Sequence, residues 1–106
     1  MTEQQTQSAI LDLIRLRGGI ATRVNSGSAI FKRDGVVNVI KGAEKGTADI
    51  IAGIPKGGQL IYVAIEVKHG KNKLTFEQAA FLESVRSLGG IGIVAYSVDD
   101  VMGLFE

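Results

Sequence analysis

The chain has no cysteine and one histidine in 106 residues. Without cysteine there is no disulfide framework and no thiolate chemistry. With one histidine, multi-histidine metal centres such as zinc sites are excluded, so any metal here is a hard, oxygen-liganded ion. There is a single proline and no tryptophan, and aromatic residues make up only 6%. The core must therefore rest on Ile, Val, Leu and Ala. No apolar run approaches the length of a membrane span, and the opening Thr2-Glu3-Gln4-Gln5-Thr6-Gln7 is polar, unlike a signal peptide. A soluble, cytoplasmic protein with no membrane partner is expected.

What remains is an ordinary globular balance, 45% apolar and 22% charged, in one domain spanning residues 1–106. A domain this small buries a modest share of its surface and gains from self-association. The net charge is only +1, so any surface for a polyanion must be local. Lys32, Arg33, Lys41, Lys45, Lys56, Lys71 and Lys73 are the candidates, most of them in expected loops, where solvated charge is the simpler account of each one alone.

Thr2 with Gln5 has the form of a capping box, which predicts a helix opening at Glu3; Ile10, Leu13 and Ile14 continue it until Gly18-Gly19. Short strands are expected at Ile20 to Asn25, Ile30-Phe31 and Val36 to Ile40, with a turn at Ser26-Gly27-Ser28. Ala48 to Ile54 and Leu60 to Lys68 read as strands joined by the turn Pro55 to Gln59, and so as antiparallel neighbours. Thr75 opens a helix to about Leu88. Ile91 to Ser97 is a further strand, and Ser97 is placed to cap a last short helix. The order condenses to αβββαβα, a mixed α/β or α+β sheet with flanking helices.

Leu60 to Lys68 is the most informative segment. Side chains alternate along a strand, so Ile61, Val63, Ile65 and Val67 face a core while Tyr62, Ala64, Glu66 and Lys68 share the other face. Ionised side chains seldom sit in an apolar strand without a partner or a task. The neighbouring segment offers Asp49 between Ala48 and Ile50. If the strands pair, about 4.8 Å apart, Asp49 and Glu66 can share a divalent cation with Lys68 beside it. Mg²⁺ suits a site with one or two carboxylates and open positions for water and phosphate. Such an ion activates water for phosphodiester hydrolysis, a lysine steadies the developing charge, and the Val67 carbonyl offers a further ligand. The alternative is a salt-bridged trio with no chemistry.

These residues carry a resemblance to the PD-(D/E)XK nucleases and, within them, to the VRR-Nuc family. The matching stretches are Gly46-Thr47-Ala48-Asp49-Ile50-Ile51, Ile65-Glu66-Val67-Lys68, Leu74-Thr75-Phe76-Glu77-Gln78 with Phe81, Gly92-Ile93-Val94-Ala95 and Ser97 to Val101, nearly the whole chain. Ala48 departs from the proline common in that position. The resemblance implies a restriction-endonuclease-like core, Mg²⁺ or Mn²⁺ on the acidic pair and a catalytic Lys68. It also implies an active-site role for Gln78, although Thr75 and Gln78 equally satisfy a capping box. Glu3 resembles an acidic residue that reaches the metal from the first helix, although the helix dipole alone favours a carboxylate there. Arg23 and Asn25, with Lys45, Lys71 and Lys73, are candidate DNA contacts. Family likeness to junction resolvases implies a homodimer that cuts branched DNA such as Holliday junctions. The competing expectation is a non-catalytic nucleic-acid-binding or assembly module on the same fold.

Overall fold

The computed structural model describes residues 1–25 and 28–106; for residues 28–31 and 38–41 the description is of the backbone. The first two positions of the turn expected at Ser26-Gly27-Ser28, and the side chain of Lys41, lie outside it. The elements are α1 (Glu3–Leu16), β1 (Ile20–Arg23), β2 (Ser28–Arg33), β3 (Val36–Lys41), β4 (Ile50–Lys56), β5 (Gln59–Val67), α2 (Phe76–Ser87), β6 (Ile91–Ala95) and α3 (Asp99–Met102), closed by a 3₁₀ turn at Gly103–Phe105. No helix among the described residues is long and apolar enough to cross a membrane.

The mixed α/β architecture expected from the sequence is present. Four strands form one sheet in the order β1-β4-β5-β6, while β2 and β3 form a separate two-stranded sheet among the described residues. The order αβββαβα describes the main sheet and its helices, and the β2–β3 hairpin is inserted between β1 and β4. Both hairpin strands are longer than the sequence suggested. Their turn tightens to Asp34-Gly35, both with positive φ, at 52° and 78°, as a two-residue turn between right-twisted strands requires.

Antiparallel pairing sets Ile50 opposite Ile65, Ala52 opposite Val63 and Ile54 opposite Ile61, and β6 then runs parallel to β5 with Ile65 opposite Ile93. One face is continuously aliphatic as a result. Ile50, Ile54, Val63, Ile65 and Val67 bury themselves there with Ile10 and Ile14 of α1. The capping box that starts α1 is complete, with Gln5 N–H donating to Thr2 Oγ1 at 3.1 Å and Thr2 N–H to Gln5 Oε1 at 2.9 Å.

The opposite face has a thinner core of Ala48, Ala64, Leu82 and Val85. Here α2 packs over β5 and β6. It comes so close that a Cβ on Gly92 would lie 2.8 Å from the Leu82 carbonyl oxygen, which is why that position has no side chain. The expected Ser97 cap is not formed. Asp100 instead accepts from the N–H groups of Tyr96 and Ser97, at 2.8 and 3.2 Å, and α3 begins after Val98 without a side-chain cap. A carboxylate can accept two backbone donors at once, which one hydroxyl does less well.

Candidate active site

Extended one step past Ile50 and Ile65, the β4–β5 register brings Asp49 opposite Glu66. Asp49 does not lie within the strand as expected but immediately before it, where the ladder has ended. Its carboxylate replaces the missing backbone partner, accepting from Val67 N–H at 2.8 Å. On the other side its carbonyl accepts from Val24 N–H at 2.7 Å, so Asp49 is fixed from both neighbouring strands. A strand residue points its N–H and C=O to the same edge; the Val67 carbonyl therefore shares the edge that faces Asp49.

Glu66 is 3% exposed. Its Oε1 accepts from Gln78 Nε2 at 3.0 Å and lies 3.9 Å from Lys68 Nζ. Its Oε2 is buried and has no hydrogen-bond partner. Burial, then the charge of Asp49 beside it, push the Glu66 carboxyl up to about 8, against a weaker opposing pull from Lys68. Lys68 is itself largely covered and reaches Glu66 only at the outer limit of an ion pair, so the closed salt-bridged trio is not what these side chains form.

Gln78 resolves a choice the sequence left open, because it does both things. Its Oε1 accepts from Thr75 N–H at 2.9 Å and its N–H donates to Thr75 Oγ1 at 3.1 Å, completing the capping box of α2. With Oε1 so engaged, the amide nitrogen is the atom left for Glu66. The start of α2 thus orients a donor onto one Glu66 oxygen and leaves the other facing Asp49's side of the site.

An orphaned, buried carboxylate oxygen next to a second carboxylate fits a hard divalent cation, whose charge would offset the cost of ionising Glu66. Among the described residues no three Asp, Glu or His side chains form a metal-sized group, so Glu3 is not drawn into a cluster with Asp49 and Glu66. Two carboxylates and a backbone oxygen leave positions for water and substrate, as Mg²⁺ prefers.

Glu3 instead lines an open cavity of about 790 Å³ with Arg23, Asn25, His69 and Asn72. This cavity lies beside the loop after Lys68 and does not include Asp49, Glu66 or Lys68. Arg23 is steadied by donating to Ser8 Oγ at 2.9 Å, and the Asn25 carbonyl accepts from Ala43 N–H at 2.8 Å. Lys71 and Lys73 are exposed in that loop. Lys45 is less free than expected, pairing with Glu77 at 3.6 Å. Glu77's own backbone N–H, then Lys45, hold its carboxyl below the usual value.

Two structural roles escaped the sequence reading. Gly46 has φ 92°, and a Cβ there would meet the Glu77 backbone at 2.7 Å; the loop leading to Asp49 rests directly on the first turn of α2. Ala48 is fully buried between Ala64 and Leu82, so its small size is set by packing. A glycine three residues before a carboxylate was the available signal for the first. Nothing in the sequence signalled the second.

A family model, the VRR-NUC domain, matches residues 1–99. The chain belongs to the VRR-NUC family. Its mixed sheet with flanking helices is consistent with the PD-(D/E)XK-like fold of that family, and membership implies a nuclease-type function for this VRR-NUC protein. Comparison with curated proteins finds no match.

Proposed function

We propose that this VRR-NUC protein is a structure-selective endodeoxyribonuclease, a single domain that hydrolyses phosphodiester bonds in branched DNA as a homodimer dependent on Mg²⁺ or Mn²⁺. The observation that carries this reading is the Asp49–Glu66 pair with its buried, unpartnered Glu66 Oε2. Asp49, Glu66 and the Val67 carbonyl would hold the ion. When bound, it supplies charge neutralisation at the phosphate and a more acidic water. Lys68 stands beside Glu66 Oε1 and stabilises negative charge that develops on the phosphoryl oxygens. Gln78 holds Glu66 in the orientation that keeps Oε2 directed at the site. Arg23, Asn25, Lys71 and Lys73 are the contacts for flanking phosphates, with Lys45 released from Glu77 when a phosphate competes for it. The sequence carries no recognised groove-reading motif, which favours selectivity for DNA shape over sequence.

The test is cleavage of labelled four-way junction, flap and linear duplex DNA with Mg²⁺, Mn²⁺ or EDTA, beside Asp49→Ala and Lys68→Ala checked by circular dichroism. Metal-dependent cutting that both folded variants lose is expected, with paired cuts in the junction. Junction DNA that is bound but never cut with either metal replaces this reading with that of a non-catalytic binding module.

A further inference from the structure

The β2–β3 hairpin stands apart from the rest of the fold. Its strands pair with each other over Ser28–Arg33 and Val36–Lys41. Among the described residues no other element makes a substantial contact with it. Strands of this length span about 20 Å. The chain is long for its size, 53 Å by 31 Å by 28 Å with a radius of gyration of 15.3 Å, against about 13 Å for a compact domain of about 100 residues. A hairpin projecting from the body accounts for that shape.

The foot of the hairpin is at the catalytic edge. The Asp49 carbonyl accepts from Val24 N–H at 2.7 Å and the Asn25 carbonyl from Ala43 N–H at 2.8 Å, so both legs leave the body beside the Asp49 end of β4. Positive charge is concentrated on this arm. Residues 28–41 hold Lys32, Arg33 and Lys41 against Asp34 alone, a net +2 in a chain whose total is +1, so the remainder carries −1. Lys32 and Arg33, at the tip, are exposed. Neither pairs with a carboxylate among the described residues.

Lys32 lies opposite Val37, and Arg33 opposite Val36. Successive strand residues face opposite ways, so each face of the ribbon carries one cation beside one exposed valine. A protein partner would enclose one such face, and protein interfaces are depleted in lysine. A nucleic-acid groove has phosphates on both walls, and the major groove of B-DNA, about 12 Å wide, admits a two-stranded ribbon.

We infer that the β2–β3 hairpin is a DNA-holding arm, a ribbon lying in the major groove of the duplex that leads away from the cut, with Lys32 and Arg33 on phosphates of its opposite strands. The inference deepens the nuclease reading and rests on it. With the foot beside Asp49, the tip meets the DNA backbone about 20 Å away, roughly six base pairs from the scissile bond. Its contacts are with phosphates, so the arm adds affinity and register without reading base sequence.

The test is fluorescence anisotropy of the full chain on a labelled four-way junction in EDTA, with salt raised from about 50 to about 200 mM. Wild type is compared with the double variant Lys32→Ala/Arg33→Ala and with Lys56→Ala, an exposed cation at the opposite end of β4. Circular dichroism checks that each is folded. Losing two phosphate contacts should make the slope of log affinity against log salt shallower by about 1.8, so the double variant loses about 10-fold less affinity than wild type across that range. Lys56→Ala should keep the wild-type slope, and a second junction of unrelated sequence should give the same result. A double variant with the wild-type slope overturns the inference, as does one whose change Lys56→Ala reproduces. A double variant altered only in its oligomeric state by sedimentation also overturns it, by making the arm a protein contact. Binding in EDTA needs no cutting. An arm that passes on a protein that cleaves nothing with either metal therefore overturns the nuclease reading alone.

Discussion

The two faces of the main sheet are built from the same strands and serve different ends. Toward α1, Ile50, Ile54, Val63, Ile65 and Val67 are all sealed against Ile10 and Ile14, with no ionised side chain among them. Toward α2 the same strands present two carboxylates, a lysine, a small alanine-rich core and an uncovered apolar half. The alternation of a strand makes this division possible, since each residue on one face is flanked by two on the other. One face supplies the folding free energy that lets the other retain a buried carboxyl whose ionisation the fold opposes.

The largest expected effect breaks that arrangement by pH. The folded-state value of Glu66, about 8, lies above that of the unfolded chain, so the folded protein binds the extra proton between the two. The stabilisation is therefore complete below the unfolded value near 4.5 and is lost as pH rises through about 8. In EDTA, urea unfolding should show stability falling from pH 5 to pH 9, by an amount approaching about 5 kcal/mol. Glu66→Gln should remove the slope and be the more stable protein at pH 9, and saturating Mg²⁺ should flatten the wild-type curve. Parallel curves for wild type and Glu66→Gln would sink the idea that this carboxyl is the destabilising group.

Next come two substitutions that should separate the faces. Ile65→Ala, on the sealed side, should cost about 3–4 kcal/mol of stability in urea while the folded fraction keeps its cleavage rate. Lys68→Ala, on the other side, should lower cleavage at least about 1,000-fold and shift the unfolding midpoint little. Equal loss of stability in both would mean that Lys68 serves the fold. A smaller effect is expected at Gly46, where alanine adds both a left-handed strain and contact with the Glu77 backbone. Thermal unfolding should register about 2–3 kcal/mol, against about 1 kcal/mol for Gly57→Ala, whose Cβ meets nothing within 4 Å.

The legible part of this molecule was the part governed by local rules. Alternation in Leu60 to Lys68 assigned Ile61 through Val67 to the faces they occupy, and the Thr2–Gln5 and Thr75–Gln78 spacings located the starts of α1 and α2. The illegible part depended on which elements meet. Asp49 sits just before its strand, next to a loop in which Gly46 packs against the Glu77 backbone of α2, and the glycine alone did not say which element it would meet. Arg23 and Asn25 share a cavity with Glu3 only because β1 passes beside the start of α1. The apolar half-face exists because α2 packs over β5 and β6, and alternation assigns Leu60 and Ala64 to one face without saying which of them a helix will cover.

Gln78 offers the finest division between fold and site, because one side chain does two jobs with two different atoms. Its Oε1 caps α2 and its Nε2 holds Glu66. Gln78→Ala removes both and should cost about 1 kcal/mol of stability, as the loss of a cap does, together with a drop in cleavage. Gln78→Glu keeps an oxygen for Thr75 N–H and so keeps the capping box, but it replaces the donor facing Glu66 with a like charge. Its stability at pH 5, where both carboxyls can hold protons, should match wild type within a few tenths of a kcal/mol. At pH 8 its cleavage should fall as far as that of Gln78→Ala. If Gln78→Glu cleaves like wild type at pH 8, the contact with Glu66 is incidental to a helix cap. If it fails in cleavage while the cap survives, the amide nitrogen acts on the site through Glu66, and the start of α2 belongs as much to the chemistry as to the fold.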